Sequence, residues 1–315
     1  MISCTEFIPL YSEFFKYLDK QGGYDAVLKY WYHISDTSIG DKTNPHSMAY
    51  HCDRLGGFEG ALAYWNHTTT EEACDLLNVI DLKERYAYGE MYYCPSRGML
   101  NSLEHITPYE HYCEHCKVIY NRVLDKYGVA FERDHSLVHE AKCSDILYEV
   151  GHKPTGDYKE PKEGRIVNRM KREGKKYLHR DFHLLGDNAI KYCADKFGPE
   201  AAVGFVRQFA VDYYAPRIAE MKRDGLPAVK KWLENVYEVE EASEVLHAEL
   251  AGNVLTVTVD KCPVIEFARS LNQELSPYYI EQTRTLYAAI AEAAGFRFEL
   301  EYYNDDGAAR FKFVK

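Results

Sequence analysis

The sequence predicts an α+β protein made of two tandem copies of one domain. Apolar residues recur at helical spacing through most of each half and then change to short strand patterns. The halves also share a skeleton, offset by 167 to 169 positions, in which Cys94 corresponds to Cys262, Thr107 to Ser276, Tyr120 to Tyr287 and Gly128 to Gly295. Residues 1–150 are therefore predicted to form the first copy, residues 151–164 a linker, and residues 165–315 the second copy.

The first copy begins with helical patterns. Apolar spacing predicts helices in residues 7–33, divided at Gly22-Gly23, and in residues 47–55 and 58–65. Thr68-Thr69-Thr70 followed by Glu71-Glu72 is typical of a helix start and predicts a short helix through Leu77.

A second set of elements follows, and it recurs near the end of the chain. The elements predicted are a tyrosine-rich strand at 83–93, a long helix from Pro108 to Tyr127 that stops at Gly128, and strands at 129–138 and 142–150 around a turn at His139-Glu140. After the glycine- and proline-containing linker, helical patterns resume at about Arg165. The second copy closes with a strand at 255–259 and a hairpin of residues 296–303 and 308–314.

Composition narrows the class of protein. A formal net charge of −11 argues against nonspecific nucleic-acid binding, which needs a basic surface. The sequence shows no signal-peptide pattern and no apolar run near the ~20 residues of a membrane span, so a cytoplasmic protein is predicted. In that compartment nine cysteines indicate buried thiols, metal ligands or a reactive thiol rather than disulfides. The expected partner is a small molecule, and the chain is either a monomer or a homodimer.

Residues 94–145 are the densest in reactive side chains, with four of the nine cysteines and five of the thirteen histidines. The duplication supplies an internal control, since groups held by one copy alone are candidates for function. Cys113, Cys116 and Cys143 correspond to Ile280, Thr283 and Arg310, so these thiols belong to the first copy. Cys94 has a counterpart in Cys262. At a strand-to-helix junction it is either a thiol acidified by the helix dipole or a small buried side chain.

One interpretation of this region is a zinc site. Cys113 and Cys116 are three apart on a predicted helix and so share a face. His139 and Cys143, in the hairpin expected beside that helix, complete a tetrahedral set of the kind that binds zinc. The alternative is a group of buried thiols without metal.

The other interpretation is catalysis. Cys113 or Cys116 with His115 or His139 makes a thiol and base pair, which Asp145 would orient. The candidate catalytic residues are Cys94, Cys113, His115 and Asp145. Tyr92, Tyr112 and Tyr120 are candidates to line a substrate pocket, the alternative being core packing. Phosphate loops, dinucleotide fingerprints and serine nucleophile motifs are absent, so no nucleotide cofactor is expected.

The helices, the strand ending in Cys94-Pro95, the paired cysteines and the closing hairpin resemble the L-2-amino-thiazoline-4-carboxylic acid hydrolase-like family. The resemblance covers residues 57–72 and 92–145. Cys143-Ser144-Asp145 stands where the family has a closing Cys-Asp-Phe segment. It implies a cytoplasmic bacterial hydrolase that opens a small sulfur- or nitrogen-containing ring with a reactive cysteine. The function predicted is thus a hydrolase or lyase of a small molecule, acting through Cys/His chemistry with or without zinc. The alternative is a sensor that binds a small molecule or metal without catalysis.

Overall fold

Eleven α-helices and two antiparallel sheets make up the fold, which confirms the predicted α+β class. The computed structural model describes residues 1–315. None of its helices combines the length and apolarity that a membrane crossing requires. The chain divides into two structural units. We call residues 15–104 and 108–179 the cysteine-rich unit, and residues 1–14, 105–107 and 180–315 the C-terminal unit.

Three helices open the chain: α1 (Phe7–Ile34), α2 (Met48–Leu55) and α3 (Gly57–Glu71). The predicted division of α1 is confirmed, because Gly22 and Gly23 leave the helical conformation and Gly23 has a φ of 70°. The threonines do not begin a helix. They lie in the last turn of α3, where Thr69 and Thr70 donate hydrogen bonds of 2.6 Å to the carbonyls of Trp65 and Asn66.

The rest of the cysteine-rich unit is a sheet with two helices. Its elements are β1 (Asp75–Asp81), β2 (Tyr86–Tyr93), α4 (Pro95–Asn101), α5 (Glu114–Leu124), β3 (Val129–Asp134), β4 (Cys143–Glu149) and β5 (Ile166–Met170). The strand order is β3-β4-β2-β1-β5, with antiparallel pairing throughout. The strand β1 was not predicted, and the tyrosine-rich strand predicted at 83–93 begins at Tyr86, because residues 82–85 form a turn.

The predicted long helix is shorter than expected at its start. It begins at Glu114 rather than after Pro108, so Cys113 is the residue before the helix. Its end is as predicted: a short 3-10 turn leads to Gly128, which is left-handed with a φ of 67°. The hairpin that follows is also confirmed, although its strands are shorter and His139 lies in a 3-10 turn between them.

Residues 151–164 contain no helix or strand, as expected of a linker. The helical pattern predicted from Arg165 is wrong, because Ile166–Met170 is the strand β5. It pairs with β1, with Val167 opposite Val79. The boundary between the two structural units therefore falls after His179 and not at the linker.

In the C-terminal unit, four helices precede the first strand and two more lie between the second and third strands. Its elements are α6 (Asp181–Phe197), α7 (Pro199–Tyr213), α8 (Ala215–Asp224), α9 (Leu226–Val239), β6 (Leu246–Ala251), β7 (Val254–Val259), α10 (Pro263–Ser270), α11 (Arg284–Ala294), β8 (Arg297–Tyr303) and β9 (Ala309–Val314). The strand order is β6-β7-β9-β8. The predicted strand β7 and the closing hairpin are confirmed, and β6 was missed.

The two units share a topology. In each, a hairpin is followed by a helix after a Cys-Pro pair, then by a helix that ends at a left-handed glycine, then by a second hairpin. The order β8-β9-β7-β6 matches β3-β4-β2-β1. Cys94 and Cys262 have nearly the same backbone angles, −85° and 115° against −88° and 120°. This likeness agrees with tandem duplication, which stays a prediction.

Candidate thiol site in the cysteine-rich unit

Cys116 and His115 form a close pair in the first turn of α5. The Cys116 Sγ lies 3.6 Å from the His115 Nε2, and both side chains are partly exposed. The His115 Nδ1 makes a short hydrogen bond with the backbone carbonyl of Tyr112. A carbonyl can only accept, so Nδ1 carries a proton and Nε2 is the nitrogen that can take the thiol proton. The arrangement is that of a nucleophile and its base.

The electrostatics of the pair favour charge separation. Burial by itself raises the pKa of Cys116. The charges of His115 and Arg133 lower it by more than burial raises it, so the pKa falls from 9.0 to about 7. Burial lowers the pKa of His115, and the adjacent Cys116 thiolate more than reverses this, so that its pKa is raised above 6.5. A thiolate beside an imidazolium is therefore populated near neutral pH.

A buried ion pair supports this charge distribution. Arg133 on β3 and Asp145 on β4 face each other in register, with 3.0 Å between Nη2 and Oδ2. Their side chains are 8% and 12% exposed, and the Arg133 Nε makes no hydrogen bond within the protein. Burial raises the pKa of Asp145 despite the opposing charge of Arg133. Asp145 fits because its neighbour on β2 is Gly89, where a Cβ would lie 2.6 Å from the Asp145 Oδ1.

The other cysteines near the pair stay protonated at neutral pH. Burial raises the pKa of Cys113 to about 12 and that of Cys143 to about 11. Burial also raises the pKa of Cys94 well above 9.0, and its sulfur accepts a 3.5 Å hydrogen bond from the Arg97 backbone at the start of α4. The cysteine whose pKa is lowered is thus Cys116, which was predicted as an alternative nucleophile and as a metal ligand.

The predicted zinc ligands are not gathered into one set. Cys113, Cys116 and Cys143 are partly exposed and near enough to influence one another electrostatically. His139 is exposed in its 3-10 turn. No three of these four residues belong to a group whose ligand atoms all lie within 4.8 Å of one another. Zinc at this set stays a prediction.

The three predicted pocket tyrosines have different surroundings. Tyr112 is 2% exposed, and its ring centre lies 4.8 Å from that of His115, so it packs directly on the base. Tyr120 packs edge-on against the aromatic rings of Trp65 and Phe131, at 4.7 and 5.8 Å. Tyr92 is exposed on β2 and borders a separate cavity of about 200 Å³ that Cys143 also lines. Of the three predicted tyrosines, Tyr112 is the one whose ring packs on His115, together with the rings of Phe15 and Trp31.

Two residues of the site were missed from the sequence. Arg133 gave no signal, because a single cation in a strand is ordinarily solvent-exposed. Glu72 follows α3 and acts electrostatically on Cys116, and burial raises its own pKa. Its topological counterpart is Glu240, which follows α9 with the same φ of −79° and ψ of 0°. A glutamate at the same place in both halves was the available signal.

No family model, curated protein or solved structure matches the chain. The resemblance to the L-2-amino-thiazoline-4-carboxylic acid hydrolase-like family therefore stays a prediction.

Proposed function

We propose that the chain is a thiol-dependent hydrolase that opens a small ring containing sulfur or nitrogen. The observation that carries the proposal is the 3.6 Å contact between Cys116 and His115, with the imidazole fixed by the Tyr112 carbonyl. A partly exposed thiol with a pKa of about 7 is a good nucleophile at neutral pH, because much of it is ionised and it remains basic enough to attack carbon.

In the first half of the reaction, the Cys116 thiolate attacks the electrophilic C=N or C=O carbon of the ring and forms a C–S bond. The ring bond from that carbon to its heteroatom breaks, and the His115 imidazolium donates its Nε2 proton to the departing atom. In the second half, His115 takes a proton from water, whose oxygen attacks the same carbon. The C–S bond then breaks and Cys116 leaves as a thiolate. The net change is the addition of one water.

Arg133 has a supporting part in this proposal. Its guanidinium is buried, and its charge lowers the pKa of Cys116. Asp145 holds it through Nη2, which fixes the cation while leaving Nε without a protein partner. Arg133 thus acts on the reaction through Cys116 and is a positioning residue.

The first experiment measures alkylation of individual cysteines against pH, by mass spectrometry of peptides after brief iodoacetamide treatment. Cys116 is expected to label with a midpoint of about 7, whereas an ordinary thiol titrates near ~8.5. Cys116→Ala should abolish the fast phase. Cys113→Ala is the matched control three residues away and should retain it. A Cys116 midpoint at or above the ordinary value would overturn the proposal.

The second experiment tests turnover on a panel of small thiazolines, lactams and cyclic imides. Ring opening by the native chain, lost in Cys116→Ala and in His115→Gln, is expected. His115→Gln keeps a polar, hydrogen-bonding side chain but removes the base, so the Cys116 midpoint should rise in the same variant. Compounds that raise the melting temperature without being opened, in a protein whose Cys116 is unreactive, would instead indicate a binding protein.

A further inference from the structure

The outer strand β6 of the C-terminal unit has one edge to which no strand is paired. It lies at the end of the order β6-β7-β9-β8. By strand order β6 corresponds to β1, and in the cysteine-rich unit β5 pairs antiparallel with the outer edge of β1. The sheet of the C-terminal unit has no strand in the place of β5. The edge that is covered in one unit is therefore open in the other.

The even-numbered residues of β6 carry the free backbone groups. The N–H of Asp260 donates a 3.0 Å hydrogen bond to the Val245 carbonyl, so residue 245 faces β7. Successive residues of a strand direct their backbone groups to opposite sides, so those of Leu246, Ala248 and Leu250 point away from β7. The Leu246 N–H is used by the preceding 3-10 turn. The N–H groups of Ala248 and Leu250 and the carbonyls of all three residues remain for another strand.

The side chains of β6 are complementary to the same strand in reverse. Leu246–Leu250 reads leucine, histidine, alanine, glutamate, leucine. Two copies paired antiparallel about Ala248 therefore place His247 opposite Glu249 twice, and leucine opposite leucine. The His247 Nε2 is 2.9 Å from the exposed Asp260 carboxylate, which leaves Nδ1 for a second carboxylate. The partner that fits this edge is a second copy of the chain.

Apolar surface on β6 favours the same pairing. Leu246, Ala248 and Leu250 lie on the face of the sheet that also carries Leu255 and Val257, which are buried on β7. Leu250 is nonetheless 37% exposed, because no strand lies beyond it. In the antiparallel pair it would lie opposite Leu246 of the second copy, which removes apolar surface from water.

The other outer strands have features that oppose such pairing. β3 ends in three consecutive charged residues. In β8 the register shifts between Leu300 and Tyr302, which marks a bulge. β5 paired with itself about its middle residue would place Val167 opposite Arg169. β6 has no register shift, lysine or proline, the features with which proteins protect an open edge.

We propose that two copies of the chain associate through β6, around a two-fold axis at Ala248, so that two four-stranded sheets join into one. The Ala248 N–H and carbonyl bond to the same groups of the second copy, and the Leu250 N–H donates to the Leu246 carbonyl across the axis. His247 and Glu249 then lie between these hydrogen bonds, where opposite side chains approach most closely. A two-fold contact of this kind is complete in a dimer and does not extend into a fibre.

The first test is sedimentation velocity of the full chain from about 1 to about 100 µM, because a contact of one strand pair is small and binds weakly. The native chain should change from monomer to dimer over this range. His247→Glu and Glu249→Lys should each weaken dimerisation by about tenfold, because each change removes two complementary pairs. Glu274→Lys, in an exposed loop outside β6, is the matched control and should leave dimerisation unchanged.

Mixing the two variants tests whether this contact is the one that forms. In a mixed pair the glutamate introduced at position 247 faces the lysine introduced at position 249, and the native Glu249 of one chain faces the native His247 of the other. The mixture should therefore dimerise about as tightly as the native chain, although neither variant does so alone. A contact elsewhere on the surface, or one with a strand of another protein, would not be restored by mixing.

Cross-linking tests the register. Ala248→Cys places two thiols directly across the axis, with Cα atoms about 5.5 Å apart, which is within disulfide range. Leu250→Cys is more exposed, but its equivalent in the second copy lies four residues along the strand, roughly 13 Å away. Mild oxidation should link the introduced thiols of Ala248→Cys and not those of Leu250→Cys, as identified by mass spectrometry of the linked peptides.

Three results would overturn the proposal. One is a native chain that stays monomeric at the highest concentration. Another is a native dimer that both single charge variants retain. The last is a mixture of the two variants, each with native circular dichroism, that stays monomeric where the native chain is dimeric. Because the native chain decides the first result and either charge variant can decide the second, a variant that fails to fold does not leave the question open.

Discussion

At the scale of single residues, the site depends on one buried cation. Arg133 forms an ion pair with Asp145, and its charge lowers the pKa of Cys116. His115 and Cys116 could be predicted from the sequence as neighbours on a helix, but Arg133 could not be predicted as the cation that acts on them. Whether a strand residue faces a thiol or the solvent depends on sheet register and on the helix packed there, and neither is visible in local spacing.

Replacing Arg133 with methionine should therefore make Cys116 less acidic. Loss of the positive charge removes one of the three effects that lower the Cys116 pKa, the other two being the charge and the hydrogen bond of His115. The alkylation midpoint should therefore rise from about 7 toward the ordinary ~8.5. The control is Arg122→Met, since Arg122 pairs with Asp36 on the exposed side of α5. An unchanged midpoint in Arg133→Met would show that His115 alone sets the pKa.

At the scale of elements, Gly89 in β2 leaves room in the sheet of the cysteine-rich unit for a side chain of the neighbouring strand. Glycine is rare inside strands because it packs nothing, so its place in β2 requires a reason. The reason is the Asp145 carboxylate on β4, which occupies the position of the missing side chain. The glycine in β2 thus leaves room on the neighbouring strand β4 for the Asp145 carboxylate of the ion pair.

Gly89→Ala should destabilise the protein. The new Cβ would lie 2.6 Å from the Asp145 Oδ1 and 3.3 Å from the Asn78 Oδ1, so either the carboxylate or the strand must move. We expect a loss of about 1–3 kcal/mol in the free energy of unfolding, measured by urea denaturation. Stability equal to that of the native chain would mean that Asp145 has another position of equal energy.

A second glycine substitution, in α7, is the control for Gly89→Ala and has an expected effect of its own. Gly204 lies exposed in α7, and an added Cβ there meets no atom within 4 Å. Gly204→Ala should raise the free energy of unfolding by up to about 1 kcal/mol, because alanine has the higher helix propensity. The same urea series measures it, and opposite signs for the two glycine substitutions would separate steric conflict from conformational freedom.

Element boundaries show where sequence patterns lose information. Gly128 ends its helix as predicted, since left-handed geometry favours glycine whatever the surroundings. The start of α5 was misplaced because Tyr109 and Tyr112 have helical spacing and yet are buried in a non-helical turn. Thr68 to Thr70 were misread because threonine can also close a helix by bonding to the preceding turn. In both cases tertiary contacts decided between two local options.

At the scale of the whole molecule, the C-terminal unit contains residues from both ends of the sequence. Residues 1–14 belong with residues 180–315, and β5 lies beyond the predicted linker yet belongs to the first sheet. Residue types at a constant offset predicted the internal repeat, and the shared strand order of the two sheets agrees with that prediction. The bounds of the two units could not be predicted from the sequence. The residues of β5 do not indicate that this strand pairs with β1, some 90 positions earlier.

Cutting the chain within residues 151–164 should leave the two fragments together. A protease site inserted near Thr155, in a stretch without helix or strand, gives one fragment that carries β1 and another that carries β5. Size-exclusion chromatography of the cut protein should show a single peak at the native position, which separates only in denaturant. Two peaks under native conditions would mean that these shared elements contribute little stability.

The pairing of β5 with β1 also has a consequence for engineering. A fragment ended at residue 150 would leave β1 as an open edge, with unpaired N–H and C=O groups able to recruit a strand from another molecule. Such a fragment should aggregate in proportion to its concentration. A fragment that continues to His179 keeps that edge covered, and it is the safer starting point for isolating the thiol chemistry from the rest of the chain.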